Sequence, residues 1–181
     1  MSDSRPDRVI AHGRFLRLID RNGWEFAERA ASSAVVTIVA ITDEQTLLLV
    51  EQFRIPLGRA VVELPAGLAG DSAEHRDEPA ISAARRELLE ETGYEAAEWT
   101  RLAEAPSSAG LTNECITFFL ARRLRRVTQA LGEGGEELTL HEVPLSELDA
   151  WLDQARARGC AVDAKIYSGL HLARRVIAAE R

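Results

Sequence analysis

Two apolar, β-branched segments form the most regular hydrophobic pattern of the chain, at 34–41 and 46–53. The polar pair Asp43-Glu44 lies between them, so the pattern predicts two buried strands joined as a hairpin. A third apolar segment, at 60–64, predicts a short strand that ends at Pro65. Together these segments indicate a β-sheet core in the first half of the chain.

A second hairpin signal lies upstream of this core. Asn22-Gly23 is typical of a type I′ turn, and it predicts strands at about 14–20 and 24–30 that would form a small antiparallel sheet. Residues 1–13 carry no comparable pattern, and we expect them to be loosely structured.

A helix is predicted where the hydrophobic period lengthens after residue 79. The stretch 67–79 combines glycines and prolines with mixed charge, which predicts a loop. Pro79 suits the first turn of a helix, where its missing N–H is not needed. The helix is predicted over 79–92 and ends at Gly93, a residue typical of helix C-termini.

The rest of the chain predicts three strands and two helices. The strands are expected at 97–104, 115–121 and 138–143, and an acidic loop at 132–137 precedes the last of them. One helix is expected from Ser146 to 157, and Asp149 would complete an approximate capping box at its start. The other helix is expected to run to 179 from a cap at Asp163. Strands flanked by three helices predict an α+β fold, an α/β/α sandwich with a mixed sheet. The N-terminal strands (1–33) would add a small antiparallel sheet to a main domain at 34–181.

Composition and charge narrow the class of function. The chain has 181 residues, and its polar N-terminus and lack of a long apolar run predict a cytoplasmic protein without membrane contact. A formal net charge of −7 argues against a nucleic-acid partner, although a divalent cation would allow a small phosphorylated substrate. Cys115 and Cys160 are too few for a disulfide framework or a zinc site.

The predicted helix 79–92 carries three crowded glutamates, Glu87, Glu90 and Glu91, beside its apolar stripe. Like charges three or four residues apart repel by roughly 0.2–0.5 kcal/mol per pair. Two interpretations follow from the helix alone: a solvated charged face, or a set of hard oxygen ligands for Mg²⁺ or Mn²⁺.

A longer motif decides between these interpretations. Glu78 lies eight residues before Arg86, and the chain then reads Arg86-Glu87-Leu88, one residue, Glu90-Glu91, one residue, Gly93-Tyr94. This resembles the Nudix box, G-x5-E-x7-R-E-U-x-E-E-x-G-U, in which U is aliphatic or aromatic. The opening glycine is displaced, because Ser72 occupies its expected position and Gly67, in ELPAG, is the natural candidate. The loop at 68–77 is therefore longer than the pattern requires, which bears on the substrate entrance.

Further segments resemble the ADP-ribose pyrophosphatase branch of the Nudix hydrolases: VEQFR at 50–54, ELPAGL at 63–68 and SSAGLTNE at 107–114. The resemblance implies the Nudix fold and metal ligands at the Ala66 carbonyl, Glu87 and Glu91, with Glu90 assisting. Mg²⁺ is the expected ion and Mn²⁺ the alternative. Arg86 would pair with the box glutamates and orient them.

The same resemblance implies a catalytic glutamate on the loop before a late strand, where GEGGEEL offers Glu136 first, Glu137 second, and Glu133. Simple solvation is the alternative for this acidic loop. Arg54 would face substrate phosphate, Glu63 would lie near the ribose or phosphates, and Glu114 would be a further site carboxylate.

The implied reaction is hydrolysis of the pyrophosphate bond of a nucleoside diphosphate sugar, with ADP-ribose giving AMP and ribose 5-phosphate. Ala109 stands where ADP-ribose hydrolases of this branch usually have proline, so GDP-mannose and related sugars stay open. Hydrolysis of dinucleotide polyphosphates and a non-catalytic nucleotide-sugar sensor are further alternatives. The branch also implies a homodimer whose N-terminal strands complete the adenine pocket, with Trp24 or Phe26 stacking on the base; ordinary sheet packing is the alternative for both aromatics.

Overall fold

The computed structural model of the protein describes residues 6–30, 34–70, 78–128 and 138–180. An N-terminal sheet contains three antiparallel strands, β1 (Arg8–His12), β2 (Leu16–Arg21) and β3 (Trp24–Arg29). The predicted turn joins β2 to β3, with positive φ angles of 55° at Asn22 and 84° at Gly23. The loose structure predicted for 1–13 is wrong at Arg8–His12. That strand is exposed along its whole length, so it has no hydrophobic pattern to reveal it.

Two four-stranded sheets form the main domain. Their strands are β4 (Ala34–Ala40), β5 (Thr46–Arg54), β6 (Arg59–Glu63), β7 (Ala66–Ala69), β8 (Tyr94–Pro106), β9 (Cys115–Arg126), β10 (Leu138–Pro144) and β11 (Ala161–Val162). One sheet has the order β10-β5-β6-β11 and the other the order β7-β4-β9-β8. The pairs β4–β9 and β6–β11 are parallel and the others antiparallel, so both sheets are mixed.

Three helices cover the sheets: α1 (Ala80–Thr92), α2 (Leu148–Ala157) and α3 (Ala164–Ala179). Alternate residues of the central strands point to opposite sides, as the pleat of a strand requires. Val39 and Leu49 belong to the core cluster beneath α2 and α3, whereas Ile38 and Leu48 belong to the cluster beneath α1. The layered α/β/α arrangement predicted from the sequence is therefore present.

The boundaries of some elements differ from the predictions. The first residues of the predicted loop 67–79 belong to β7, because they pair with β4. Pro79 is the N-cap of α1 rather than a residue of its first turn. The capping box predicted at Ser146 is wrong: α2 begins after Glu147, which makes no side-chain cap, and the Glu147 N–H is bonded to the Pro144 carbonyl in a preceding turn. Strands β8 and β9 extend beyond the predicted 97–104 and 115–121.

Two helix ends agree with the sequence and fix the geometry of the site. Gly93 ends α1 with a left-handed conformation, φ 74°, and its N–H is bonded to the Leu89 carbonyl. Asp163 caps α3 and accepts a hydrogen bond from the Lys165 N–H at 2.8 Å. None of the helices in the described part of the chain is long and apolar enough to cross a membrane.

Candidate active site

The turn between β6 and β7 lies directly against the glutamates of α1. Glu87 and Glu91 are one helical turn apart and therefore on the same side of the helix. The Ala66 N–H donates to Glu91 Oε2 at 2.9 Å. A Cβ atom on Gly67 would lie 1.9 Å from Glu87 Cδ, so only glycine fits at this position. The fold thus brings the Ala66–Gly67 backbone next to two carboxylates that lie twenty to twenty-five residues later in the chain.

The sheet holds this turn in place. The Ile38 N–H donates to the Pro65 carbonyl at 2.8 Å, and Thr37 is paired with Ala66 in the β4–β7 register. Leu64, next to the turn, is fully buried. The Ala66–Gly67 backbone is thus anchored on one side by the sheet and meets the helix on the other.

Arg86 organises the remaining carboxylates of the motif. Its guanidinium lies 2.9 Å from Glu87 Oε1, 2.9 Å from Glu90 Oε2 and 3.4 Å from Glu78 Oε2. It also donates to the Leu68 carbonyl at 3.0 Å, which ties α1 to β7. Burial opposes the charge on Arg86, but the carboxylates, Glu87 first, outweigh burial and raise its pKa. Arg86 is therefore a permanent cation that holds three glutamates around it.

Glu91 experiences a different environment. Burial is the main cause that raises the pKa of Glu91 to about 8; the Ala66 N–H opposes this rise and the charge of Glu87 adds to it. A carboxyl group that resists ionisation next to a second carboxylate indicates a place where a cation would be stabilised.

The donors at this place fit a hard divalent cation. Glu87, Glu91 and the Ala66–Gly67 backbone supply oxygen atoms, and the close approach at Gly67 leaves no room for a side chain between them. Within the described ranges, no group of three or more His, Cys, Asp or Glu side chains stands in ligand geometry. Two carboxylates with backbone and water ligands match the way Mg²⁺ is usually held, since it keeps several waters.

A second charged cluster is formed by Arg54, the last residue of β5, and Glu63, the last residue of β6. Glu63 is only 6% exposed and its Oε2 accepts from Arg54 Nε at 2.7 Å and from Gln52 Nε2 at 3.0 Å. Burial raises the pKa of Glu63, whereas Arg54 opposes the rise. The charges of Arg54 and Glu63 both act on Glu91, which places this cluster beside the box carboxylates.

Sequence reasoning missed two residues next to Glu63. Asp163 and Lys165 both act electrostatically on the ionisation of Glu63. The parallel pairing of Val62 with Val162 brings them there, and the sequence offers no local motif for it. One signal was available, since Lys165 is the only lysine of the chain.

The predicted base-binding residues line a cavity of about 450 Å³ at the N-terminal sheet, together with Ala109 and three neighbours: Arg21, Trp24, Phe26, Ala109, Thr112 and Asn113. Trp24 is 64% exposed and its indole N–H donates to the Gly110 carbonyl at 3.3 Å, whereas Phe26 is buried. The Ala27 N–H donates to the Leu111 carbonyl at 2.8 Å, so β3 is docked on the turn between β8 and β9.

The other predicted site residues are placed less directly. Glu114 pairs with Arg29 of β3, Nε to Oε1 at 2.8 Å, and so joins the N-terminal sheet to the main domain. The loop glutamates Glu133, Glu136 and Glu137, and most of the lengthened 68–77 loop, lie outside the described residues.

The chain matches the NUDIX domain family over residues 32–166. It is 43% identical over 89 residues to the ADP-ribose pyrophosphatase of Bacillus subtilis, covering 49% of this chain and 45% of that protein. It is 35% identical over 122 residues to the methanol dehydrogenase activator of Bacillus methanolicus, covering 67% of this chain and 63% of that protein. The chain thus spans between about half and somewhat under two thirds of the length of these curated relatives.

A solved structure shows the same fold. The crystal structure of an ADP compounds hydrolase is similar with a TM-score of 0.75 at 21% sequence identity, covering 97% of this chain and 93% of that chain. The predicted α+β Nudix fold is confirmed by this match together with the mixed sheets, three helices and separate small sheet described above. Since the family match covers most of the chain and includes the whole motif from Glu78 to Tyr94, the protein belongs to the Nudix domain family.

Proposed function

We propose that the protein hydrolyses the pyrophosphate bond of a nucleoside diphosphate sugar. ADP-ribose is the favoured substrate, and its products would be AMP and ribose 5-phosphate. The observation that carries the proposal is the convergence of Glu87 and Glu91 on the Ala66–Gly67 backbone beside the Arg54–Glu63 pair. The ADP-ribose pyrophosphatase of Bacillus subtilis, as a relative, supports the choice of substrate class.

Each residue of the cluster has a task in this reaction. Glu87, Glu91 and the Ala66 carbonyl would hold Mg²⁺, or Mn²⁺ in its place, which neutralises diphosphate charge and lowers the pKa of water when bound. Arg86 keeps the glutamate side chains in position through its three ion pairs. Arg54 offers guanidinium hydrogens to a substrate phosphate, and buried Glu63 sets the direction of that guanidinium.

Glu136 is the proposed group that orients or deprotonates the attacking water, with Glu137 as second choice. A carboxylate in this role must reach the water within hydrogen-bond distance while the diphosphate is bound. The resemblance to the ADP-ribose pyrophosphatase branch supports this assignment.

The cavity at Trp24 is the proposed site for the base. An indole beside a cavity of about 450 Å³ offers a flat apolar surface on which a purine can stack. Ala109 lines the same cavity, so the position where this chain departs from its branch bears on base recognition.

A homodimer is part of the proposal. The N-terminal sheet is docked on the main domain through β3, whereas β1, at the other edge of the sheet, is exposed along its whole length. Val9, Ile10, Phe15 and Leu16 are large apolar residues that the N-terminal sheet exposes. A second copy of the chain is the proposed partner. Light scattering at micromolar concentration tests it, and a monomeric mass would contradict it.

A substrate panel with Mg²⁺ tests the function. ADP-ribose, GDP-mannose, ADP-glucose, diadenosine polyphosphates and nucleoside triphosphates are incubated with the protein, and the products are identified. We expect fastest turnover with ADP-ribose, and loss of turnover by about two orders of magnitude or more in Glu87→Gln. Glu95→Gln, which removes the same charge from the exposed start of β8, is the matched control. Tight binding of ADP-ribose without turnover would favour the sensor alternative instead.

A further inference from the structure

A line of four charged side chains joins the Arg54 strand to the N-terminus of α3. We call it the charged line: Arg54, Glu63, Asp163 and Lys165. Arg54 pairs with Glu63 at 2.7 Å, Asp163 follows the strand paired with that of Glu63 and interacts with it electrostatically, and Asp163 pairs with Lys165. The two carboxyl groups therefore lie in the middle and the two cations at the ends. None of the four belongs to the Nudix box.

The backbone fixes the middle of the charged line. Val62 and Val162 are paired in the parallel register of β6 and β11, so the next residues, Glu63 and Asp163, follow side by side. The Asp163 N–H donates to the Val62 carbonyl at 3.0 Å. Strand pairing thus places Glu63 and Asp163 side by side.

Lys165 is unusual in two respects. The chain contains 21 arginines and this single lysine. Lys165 also lies in the first turn of α3, where the helix dipole disfavours a cation. The cap of α3 does not need the ammonium group, because the Lys165 N–H already donates to Asp163 at 2.8 Å. Helix capping therefore does not account for the compact ammonium beside Asp163.

The Lys165 ammonium acts on the ionisation of the two carboxyl groups. Carboxyl groups that lie side by side cannot both ionise freely, so one of them retains a proton more strongly. Burial raises the pKa of Glu63. Burial also opposes ionisation of Asp163, but the hydrogen bonds from Lys165 outweigh it and lower the pKa of Asp163. Burial and the charge of Asp163, which Lys165 keeps ionised, favour the proton on Glu63, whereas the charges of Arg54 and of Lys165 itself act in the opposite direction. The groups that act on Glu63 from the described elements around it are Gln52, Arg54, Glu91, Asp163 and Lys165.

We propose that Lys165 is a positioning residue for substrate binding: through Asp163 and Glu63 it controls how firmly Arg54 is held, and so how readily Arg54 binds the phosphates of a nucleoside diphosphate sugar. A neutral Glu63 holds Arg54 by hydrogen bonding alone. An ionised Glu63 adds a full ion pair that competes with substrate phosphate. The identity of the ligand rests on the proposed function, whereas the contacts of the charged line do not.

Steady-state kinetics of three variants test the proposal. Lys165→Met should raise KM for ADP-ribose about tenfold and leave kcat within about twofold, because binding and not bond cleavage depends on Arg54. Lys165→Arg keeps the charge and should recover most of the loss. Arg175→Met removes a charge from an exposed position of the same helix and should change neither constant. Unchanged KM in Lys165→Met, or an equal effect in Arg175→Met, would overturn the proposal.

A double-mutant comparison isolates the route through Glu63. Glutamine cannot ionise, so in a Glu63→Gln background Lys165→Met should change KM by less than about twofold. Effects that multiply as if the two sites were independent would show that Lys165 does not act through Glu63.

The single lysine also permits a measurement that needs no turnover. Reductive methylation with ¹³C-formaldehyde labels Lys165 and the terminal amine alone. The Lys165 methyl resonance should follow a titration step in the wild-type protein, and the step should vanish in Glu63→Gln. The same step in both proteins, or none in the wild type, would overturn the positioning role. A Glu63-dependent step in a protein that hydrolyses no nucleoside diphosphate sugar would support the charged line and overturn the proposed function alone.

Discussion

Replacing Glu91 by glutamine should stabilise the metal-free protein at neutral and alkaline pH while it abolishes metal-dependent activity. Glu91 Oε2 accepts the Ala66 N–H at 2.9 Å, and the amide oxygen of glutamine can accept the same bond. The substitution therefore keeps shape and hydrogen bond and removes only the ability to ionise.

The magnitude follows from the ionisation of Glu91. Burial raises its pKa from the ordinary 4.5 to about 8. Because the folded-state pKa is the higher one, the stability associated with the neutral form is complete below pH 4.5 and is lost as the pH rises to about 8. The loss is at most ~1.4 kcal/mol per pH unit, or about 5 kcal/mol over the whole interval. Water that reaches the carboxyl group reduces this, so we expect about 2–4 kcal/mol.

Urea unfolding in the presence of EDTA measures the effect. Free energies of unfolding are compared for the wild type and Glu91→Gln between pH 5 and pH 8.5. Titrating groups that do not interact with Glu91 contribute equally to both proteins, so the difference between the curves reports Glu91 together with its coupling to Glu87 and Glu63. The variant should be the more stable protein at pH 8, with the two curves converging toward pH 5. Saturating Mg²⁺ should then stabilise the wild type and leave the variant nearly unchanged.

Parallel pH profiles for the two proteins would show that Glu91 ionises normally in the folded state. A variant less stable than the wild type at pH 8 would show that the carboxylate is held by favourable contacts. Either result would remove the argument that a cation would be stabilised at this position. Glu95→Gln, from an exposed glutamate, should follow the wild-type curve at every pH.

Four further substitutions probe the site and its support. Gly67→Ala places a methyl group within 2 Å of the Glu87 carboxyl, so initial rates should fall by about two orders of magnitude or more, while thermal melting reports whether the fold persists; a rate close to wild type would mean that the turn is not part of the site. Glu136→Gln should lower kcat about a hundredfold with little change in KM, and Glu137→Gln much less; the reverse order would assign the water to Glu137. Gly169→Ala brings a Cβ to 2.8 Å from Val39 Cγ2, and urea unfolding should show a loss of about 1–3 kcal/mol; no loss would mean that α3 shifts freely on the sheet.

Local patterns in the sequence were sufficient to predict the Nudix box and the helix that carries it. Glu78 lies just before α1, Arg86 lies within it and Gly93 ends it, so their relative positions follow from the helix alone. A sequence motif is therefore enough to predict them. Gly93 ends the helix with φ 74°, as the sequence predicts. Strand predictions for β4 and β5 also agree with the structure, because strands that are buried on both faces are apolar and β-branched along most of their length.

Long-range pairing accounts for what the sequence did not reveal. Strand β1 is exposed along its length and is held by pairing with β2 and by ion pairs such as Arg8 to Asp20 at 2.7 Å. The position of Asp163 beside Glu63 depends on a two-residue parallel pairing between segments one hundred residues apart. Neither feature changes the period of hydrophobic residues along the chain, so the hydrophobic pattern predicts neither of them.

The docking of β3 on the turn between β8 and β9 has a consequence for how such proteins diversify. Backbone carbonyls of the turn accept hydrogen bonds in this contact: Leu111 from the Ala27 N–H and Gly110 from the Trp24 indole N–H. Backbone acceptors tolerate changes in the side chains around them. Helix α1 contributes none of the described residues that line the Trp24 cavity. Exchange of the N-terminal hairpin as a module would therefore leave the carboxylate cluster of α1 intact, so that the Trp24 cavity and the carboxylate cluster can evolve at separate rates.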